Sequence, residues 1–423
     1  MTRSASVPPQ PSCADSADTG ALAVEEARRR ILQSVTAVEC PQKVALRAAL
    51  DRVLAQDVLS TVDVPAHDNS AMDGYAVPAR DLPASGTRAL RVVGTAWAGR
   101  PFTATVRPGE AVRIMTGAVV PAGCDAVVMQ EQAECDGEQL RIGNGHRPGQ
   151  NIRRAGEDLR KGQVALARGH RMQPADLGLL ASLGISEVHV QRPLRVAFFS
   201  TGDELRSIGE PLETGQIYDS NRYTLFGMLT RLGVDIIDMG VVRDDPAAIR
   251  DAFVRAAANA DCVLTSGGVS VGDADYVKQV LDEVGEIRFW KIAMKPGRPL
   301  AFGRIGAAGF FGLPGNPVAV MVTFYQFVQP ALRRMAGETE VTLPQFTVPC
   351  LSRLKKRAGR SEFQRGILSR DEQGQWVVRK TGVQGSGVLS SMSSANCFIV
   401  LPPQSMEIEP GDSVLVEPFH ALV

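Results

Sequence analysis

Residues 195–205, RVAFFSTGDEL, and 261–276, DCVLTSGGVSVGDADY, share one pattern: a short apolar run, then small hydroxyl residues and glycine, then acids. An apolar run of that length ending in such a turn reads as a buried strand. Outward from these two stretches, strands and helices alternate across 195–335. RVAFFS is the first strand, 221–232 a helix closed by Gly233, VDIIDMGVV the second strand, and 246–258 a helix capped by Asp244 or Asp245 with Pro246 in its first turn. DCVLTSGG is the third strand, 274–284 a helix, RFWKIAM and PLAFGRI further strands, and 318–335 the closing helix. This alternation, with right-handed crossovers, predicts a doubly wound α/β domain around a parallel sheet. Such sheets bind ligands at the carboxyl ends of their strands.

The flanks have a different texture. Residues 1–20 are rich in Ser, Ala, Pro and Asp, lack the basic start and apolar core of a signal peptide, and read as a disordered tail. Residues 21–36 carry Val24, Ala27, Ile31 and Val35 at helical spacing, and 175–183 form a second helix stopped by Gly184. Between them, 58–164 breaks into short apolar runs punctuated by Pro and Gly (RVVGTAW, AVRIMTG, CDAVVMQEQ), the pattern of a β-rich insertion. From 341 to 423, FTVPCLSRL, WVVRKTG, NCFIVLP and DSVLVEPF predict a small β-barrel or sandwich, in which Arg365 and the run GSGVLSSMSSAN are cleft-lining candidates. The expected domains are therefore 21–57 with 165–194 as a helical linking domain, 58–164, 195–335 and 341–423.

Composition narrows the function. A chain of 423 residues exceeds one core, and two to four domains follow. Lys plus Arg and Asp plus Glu are each 46, so no basic excess argues for nucleic acid. Seven scattered cysteines without a C-x-x-C pair fit reduced thiols in the cytoplasm, and five histidines offer little for a zinc site. No apolar run approaches the roughly 18 residues that would span a membrane.

The chemistry gathers at the expected strand ends. Ser200, Thr201, Gly202, Asp203 and Glu204 follow the first strand; Asp244 follows the second; Gly267, Gly268, Ser270, Gly272, Asp273 and Asp275 follow the third. Consecutive glycines let backbone amides approach an oxyanion, and the next helix N-terminus favours negative charge, so SGGVSVGDAD reads as a phosphate cradle. A plain strand-helix turn accounts for one or two of these glycines only. Three loops delivering carboxylates to one edge call for a compensating cation, and Mg²⁺ suits carboxylates combined with phosphate oxygens and water. Lys291, Lys295 and Arg298 supply positive charge for an oxyanion, and Pro314 and Pro317 stiffen the loop before the last helix. In the β-rich half, DNSAMDGYA (68–76), RIMTGA (113–118) and GQNIRRAGED (149–158) crowd polar groups beyond the needs of a turn.

In this order, DNSAMDGYA, RIMTGA, GQNIRRAGED, FSTGDEL, IYDSNR, SGGVSVGDADY, KPGRPLAFG and GLPGNPVA resemble the MoeA family of molybdopterin molybdenumtransferases, related to the C-terminal domain of gephyrin. The resemblance runs from residue 21 to the C-terminus. It implies an elongated, homodimeric subunit whose α/β domain binds molybdopterin, with an active cleft shared between that domain and the β-rich half of the other copy. Carried over by motif, the functional residues are Asp73, Thr116, Asp158, Glu204, Asp244, Asp275, Lys291, Lys295, Pro314 and Pro317. Asp73, Thr116, Glu204, Asp244 and Asp275 are expected to be catalytic, with Mg²⁺ on Glu204, Asp244 and Asp275. The substrates implied are adenylyl-molybdopterin and molybdate, the products molybdenum cofactor and AMP, and the partners other proteins of cofactor biosynthesis.

Two other readings are weaker. The preceding adenylyl transfer shares the α/β domain and glycine loop but does not need the β-rich half, and a non-catalytic scaffold does not need Asp73, Glu204, Asp244 and Asp275. One departure concerns Asp51, where relatives often carry Gly. It bears on a local turn and leaves the chemistry untouched.

Overall fold

The structure is a computed structural model that describes residues 20–267 and 276–419. The expected tail, Gly20 excepted, lies outside them. The chain forms two compact units: Lys43–Leu50 with Leu54–Val190, and the remainder, Met1–Gln42, Asp51–Val53 and Gln191–Val423.

The first helix, α1 (Val24–Ser34), buries Val24, Ala27 and Ile31. The sequence grouped it with 165–194. Its stripe instead packs into the core of the α/β domain beside Phe327, Ala331 and Met335, because that core offers apolar area matched to a three-and-four spacing.

The β-rich unit is organised by β1 (Gly74–Val77), β2 (Thr87–Ala96), β3 (Glu110–Ile114), β4 (Ala126–Met129), β5 (Ala133–Asp136) and β6 (Gln139–Gly143), in the order β4-β1-β3-β2-β6-β5. All of β1 is buried because the sheet is covered on both faces, Tyr75 and Val77 on one and Ala76 on the other. Helix α2 (Pro174–Ser182) starts at a Gln173–Asp176 capping box and packs Leu180 against Leu54 and Val190.

The α/β domain has β7 (Arg195–Thr201), α3 (Ser220–Arg231), β8 (Asp235–Val242), α4 (Pro246–Asn259), β9 (Cys262–Ser266), α5 (Tyr276–Val284), β10 (Glu286–Lys291), β11 (Pro299–Ile305), β12 (Ala308–Leu313) and α6 (Pro317–Thr323). The sheet order is β8-β7-β9-β12-β11-β10. The expectation of a parallel sheet holds for its first four strands. It fails for the last two, which run antiparallel, because Gly306 and Ala307 turn PLAFGRI directly back into AGFFGL, a strand the sequence reading passed over. Helices cover both faces, α1, α3 and α6 on one, α4 and α5 on the other. On the second face Phe253 packs edge-on to Phe199 and Phe310 at 5.1 and 5.6 Å.

The expected strand RFWKIAM is split. β10 ends at Lys291, and Met294–Lys295 leave the sheet to pair with Ser361–Glu362. The closing helix is also interrupted: α6 passes through a π turn at Phe324–Val328 into α7 (Gln329–Met335). Pro330 has no N–H for the Gln326 carbonyl, which accepts from Arg28 Nε at 3.2 Å.

The C-terminal strands are β13 (Phe346–Pro349), β14 (Ser361–Arg370), β15 (Trp376–Lys380), β16 (Cys397–Leu401) and β17 (Ser413–Pro418). They pair β15-β14-β16-β17-β13, and a Cys350–Val378 bridge joins the chain beyond β13 back to β15, closing the barrel. No helix among the described residues is long and apolar enough to cross a membrane.

Candidate active site

Four parallel strands place their carboxyl ends along one edge of the α/β sheet. At the first, β7, Ser200 and Thr201 are buried beneath the edge, and Ser200 Oγ has no hydrogen-bond partner among the described residues. The chain then turns at Gly202, φ +149°, over which the Glu204 carboxylate folds. Glu204 and Asp203 are both exposed.

At the end of β8 the two candidate caps separate. Asp245 is the cap of α4, its carboxylate accepting from Ala248 N at 2.9 Å, which leaves the Asp244 side chain outside the helix. The Asp244 N–H donates to Asp203 Oδ1 at 3.4 Å. Partial burial, then the charges of Asp203 and Glu204, raise the Asp244 carboxyl above its ordinary range. Three acids thus gather from two loops. The sequence placed Asp203 at this strand end beside Glu204 but gave it no role of its own.

β9 is followed by Gly267, φ +91°, where a Cβ would lie 2.7 Å from the Thr201 carbonyl oxygen. Only glycine fits there. The rest of the predicted cradle, Gly268, Ser270, Gly272, Asp273 and Asp275, lies outside the described residues. At the end of β12, Pro314 is buried and Pro317 opens α6. Asn221, in the first turn of α3, ties this loop to β9, donating from Nδ2 to Ser266 Oγ at 2.8 Å and to Gly315 O at 2.7 Å. The IYDSNR motif therefore has a positioning role that its sequence did not disclose.

The cations take two places. Lys291 stands opposite Pro299 across the β10-β11 pair, and the Arg298 carbonyl accepts from Ile292 N, so Lys291 and Arg298 are neighbours. Lys295 lies 3.5 Å from Glu362 and lines a separate cavity of about 360 Å³ with Arg353, Lys355, Lys380 and Arg365. Arg365 was expected to line a cleft. It does so from within the barrel wall, 1% exposed, with Nε donating to Ser391 Oγ at 2.9 Å and Nη2 to Gly385 O at 2.9 Å. Burial pulls its guanidinium down to about 10. The sequence reading missed Arg353, Lys355 and Lys380 because they come from different strands and loops of the barrel.

In the other unit, Asp73 Oδ1 accepts from both the N–H and the hydroxyl of Thr116, each at 2.7 Å. These two bonds hold the Asp73 carboxyl below its usual range. Its three polar motifs meet: Asn69 and Ser70 pair with Arg153 and Ile152, Arg154 bonds Asp68 at 2.6 Å, and Ser70 exchanges backbone bonds with Gly117 and Ala118. Asp158 stands apart, exposed, its N–H donating to Val64 O. Among the described residues no three acidic, histidine or cysteine side chains form a ready cage for a metal ion.

Consecutive stretches of the chain match three family descriptions: the MoeA N-terminal region (domain I and II) over residues 22–184, a probable molybdopterin binding domain over 197–334, and the MoeA C-terminal region (domain IV) over 347–419. A molybdopterin molybdenumtransferase of Haemophilus influenzae is 46% identical over 95% of this chain and 100% of its own length. Gephyrin of Dictyostelium discoideum is 33% identical over 92% of this chain and 61% of its own. Among solved structures, a molybdopterin biosynthesis moeA protein from Pyrococcus horikoshii superposes with a TM-score of 0.81 at 30% identity, covering 94% of this chain and 100% of that one.

Proposed function

Because the chain belongs to the MoeA family, we propose that it is a molybdopterin molybdenumtransferase, inserting molybdenum from molybdate into adenylyl-molybdopterin with release of AMP. The observation that carries this reading is family likeness along almost the whole chain, joined to an acidic strand edge at Asp203, Glu204 and Asp244.

The acids fit a hard divalent cation, since partial burial and then the charges of Asp203 and Glu204 already raise Asp244, and oxygen is the donor Mg²⁺ prefers. Glu204 and Asp244 would hold Mg²⁺, with Asp275 as a third ligand. Bound there, Mg²⁺ would neutralise charge on the pyrophosphate. The chain's own groups bind and orient. Gly267, with Gly268, Ser270 and Gly272, would offer backbone and hydroxyl donors to phosphate; Ser200 and Thr201 are buried at the end of β7, where Thr201 backs the turn at Gly267; Pro314 and Pro317 stiffen the loop that leads into α6. Lys291 and Arg298 hold a terminal phosphate, and Lys295, within its basic cavity, holds the molybdate oxyanion.

The family resemblance supports a homodimer in which Asp73 and Thr116 of one copy, with Asp158 at the periphery, complete the cleft of the other. It also supports other cofactor-biosynthesis proteins as partners. A cytoplasmic location accords with the free thiols at Cys40, Cys124, Cys135, Cys262, Cys350 and Cys397.

The deciding experiment mixes purified protein with adenylyl-molybdopterin, Mg²⁺ and molybdate. AMP release that depends on molybdate is expected, and Asp275→Asn should abolish it without unfolding the chain. Adenylylation of molybdopterin from ATP, with no molybdate-dependent AMP, would overturn the assignment in favour of the preceding step.

A further inference from the structure

A second cavity, of about 420 Å³, opens at the other end of the α/β sheet, where Asp261 and Gly309 mark the starts of β9 and β12. The reaction proposed above uses none of its residues. Its floor is apolar: Trp290 and Phe302 lie with ring centroids 5.6 Å apart, and Val35, Val38 and Met335 complete it. Phe302 is 7% exposed, whereas Trp290, Val35 and Val38 are half-buried, so the floor is an incompletely covered extension of the main core. A space of this size lies within the range of about 300–1,000 Å³ typical of small-molecule sites.

Its walls are cationic. Arg30, Arg288 and Arg304 line it against Glu286 and Asp261, and Arg30 is already paired with Glu26 at 2.6 Å, which leaves Arg288 and Arg304 as the charges that count. Asp261 is neutralised by Arg192, whose two terminal nitrogens each approach it at 2.7 Å. Arg304 reaches only the Ala307 carbonyl, at 3.3 Å, and Arg288 makes no side-chain hydrogen bond or ion pair among the described residues. An aromatic floor under unspent guanidinium groups defines a ligand by chemistry: a flat ring to cover Trp290 and Phe302, and an anionic substituent for the arginine fork.

We propose that this cavity is a binding site for one planar aromatic anion, a small carboxylate, sulfonate or phosphate ester, separate from the strand edge that carries Glu204 and Asp244. The ring removes apolar floor from water, and Arg288 and Arg304 fix the anion at the mouth. A neutral ring alone would forfeit the second contribution.

The test titrates the full chain with 1-anilinonaphthalene-8-sulfonate, a planar aromatic sulfonate, following probe emission and energy transfer from tryptophan. One equivalent should bind, with transfer that falls sharply in Trp290→Phe. Arg288→Glu, an exposed change outside the core, should weaken binding at least tenfold, as should Arg304→Glu, while Arg250→Glu on α4 should leave it unchanged. The uncharged analogue N-phenyl-1-naphthylamine should bind at least tenfold more weakly than the sulfonate. Failure of the native chain to bind, equal binding by Arg288→Glu and native protein, or equal binding of charged and neutral probes would each overturn the site. None of these measurements depends on molybdopterin or molybdate, so the outcome is independent of the activity proposed above.

Discussion

A single oxygen of Asp73 accepts both hydrogen bonds that Thr116 can donate, one from the backbone N–H and one from the hydroxyl, each at 2.7 Å. The carboxylate comes from the loop before β1 and the threonine from the loop after β3, two strands that pair directly. Thr116 therefore sets both the direction of Asp73 and its charge.

Replacing the hydroxyl separates these effects. Thr116→Val keeps the backbone bond and removes the other, so the Asp73 carboxyl should titrate higher than in the native chain, measured by carbon NMR. Since the native value is depressed, the stabilisation it reports is present above the unfolded value and lost as pH falls through the folded one. The variant should lose part of that acid-side dependence and keep its fold. An unchanged Asp73 titration would show that the backbone bond alone sets the charge.

Asp244 shifts the other way. Its carboxyl is raised by burial and by Asp203 and Glu204, so the ionised form is the strained one, and stability is gained as pH falls through the folded value. Asp203→Asn should lower the Asp244 value and raise stability at neutral pH by roughly 0.5 kcal/mol, a figure kept small because the site is largely exposed. AMP release should fall in the same variant. Calorimetry at pH 7 and at about pH 2.5, well below the ordinary carboxylate range, checks the first part: a gain as large at the lower pH, where the raised Asp244 carboxyl is protonated, would mean repulsion is not its source. Added Mg²⁺ should reduce the pH dependence of the native chain.

The places where sequence and structure part have physical causes. Apolar runs closed by glycine disclosed β7 and β9, the apolar run VDIIDMGVV disclosed β8, and Pro246 after two acids disclosed α4. AGFFGL was passed over because the two-residue turn at Gly306 and Ala307 leaves almost no polar break before it. β14, the longest C-terminal strand, was not read as one because its first six residues are buried on both faces and include the polar Glu362, Gln364 and Arg365, which spoils the usual alternation. The acidic edge was legible loop by loop, whereas the contact between Asp203 and Asp244 depends on β7 and β8 being neighbours, which no local pattern states. Asp51, flagged as a departure, sits at φ +61°, a left-handed backbone that explains why glycine suits the position.

Gly267 is where the fold and the expected cradle constrain each other most tightly. At φ +91°, with a Cβ position 2.7 Å from the Thr201 carbonyl, Gly267→Ala must either push β7 and β9 apart or distort the turn. A loss of roughly 1–3 kcal/mol is expected, read as a lower unfolding midpoint in urea. Activity should fall further than stability explains, because the turn leads directly into the proposed phosphate cradle. Wild-type stability in Gly267→Ala would mean that the neighbouring strand yields freely.

The proposed shared cleft makes a prediction that a cleft within one chain does not. Asp73→Ala and Asp244→Ala each remove one acid, and each homodimer should be close to inactive. Equal mixing with free subunit exchange makes half of the dimers mixed. In a cleft built from two copies, a mixed dimer has one cleft missing both acids and one missing neither, so the mixture should recover about a quarter of native activity. If Asp73 and Asp244 served the same cleft from one chain, every cleft would still lack an acid and activity would stay at the level of the separate variants. Verifying exchange by mass spectrometry of differently tagged subunits makes the comparison decisive, because recovery then depends only on which copy supplies Asp73.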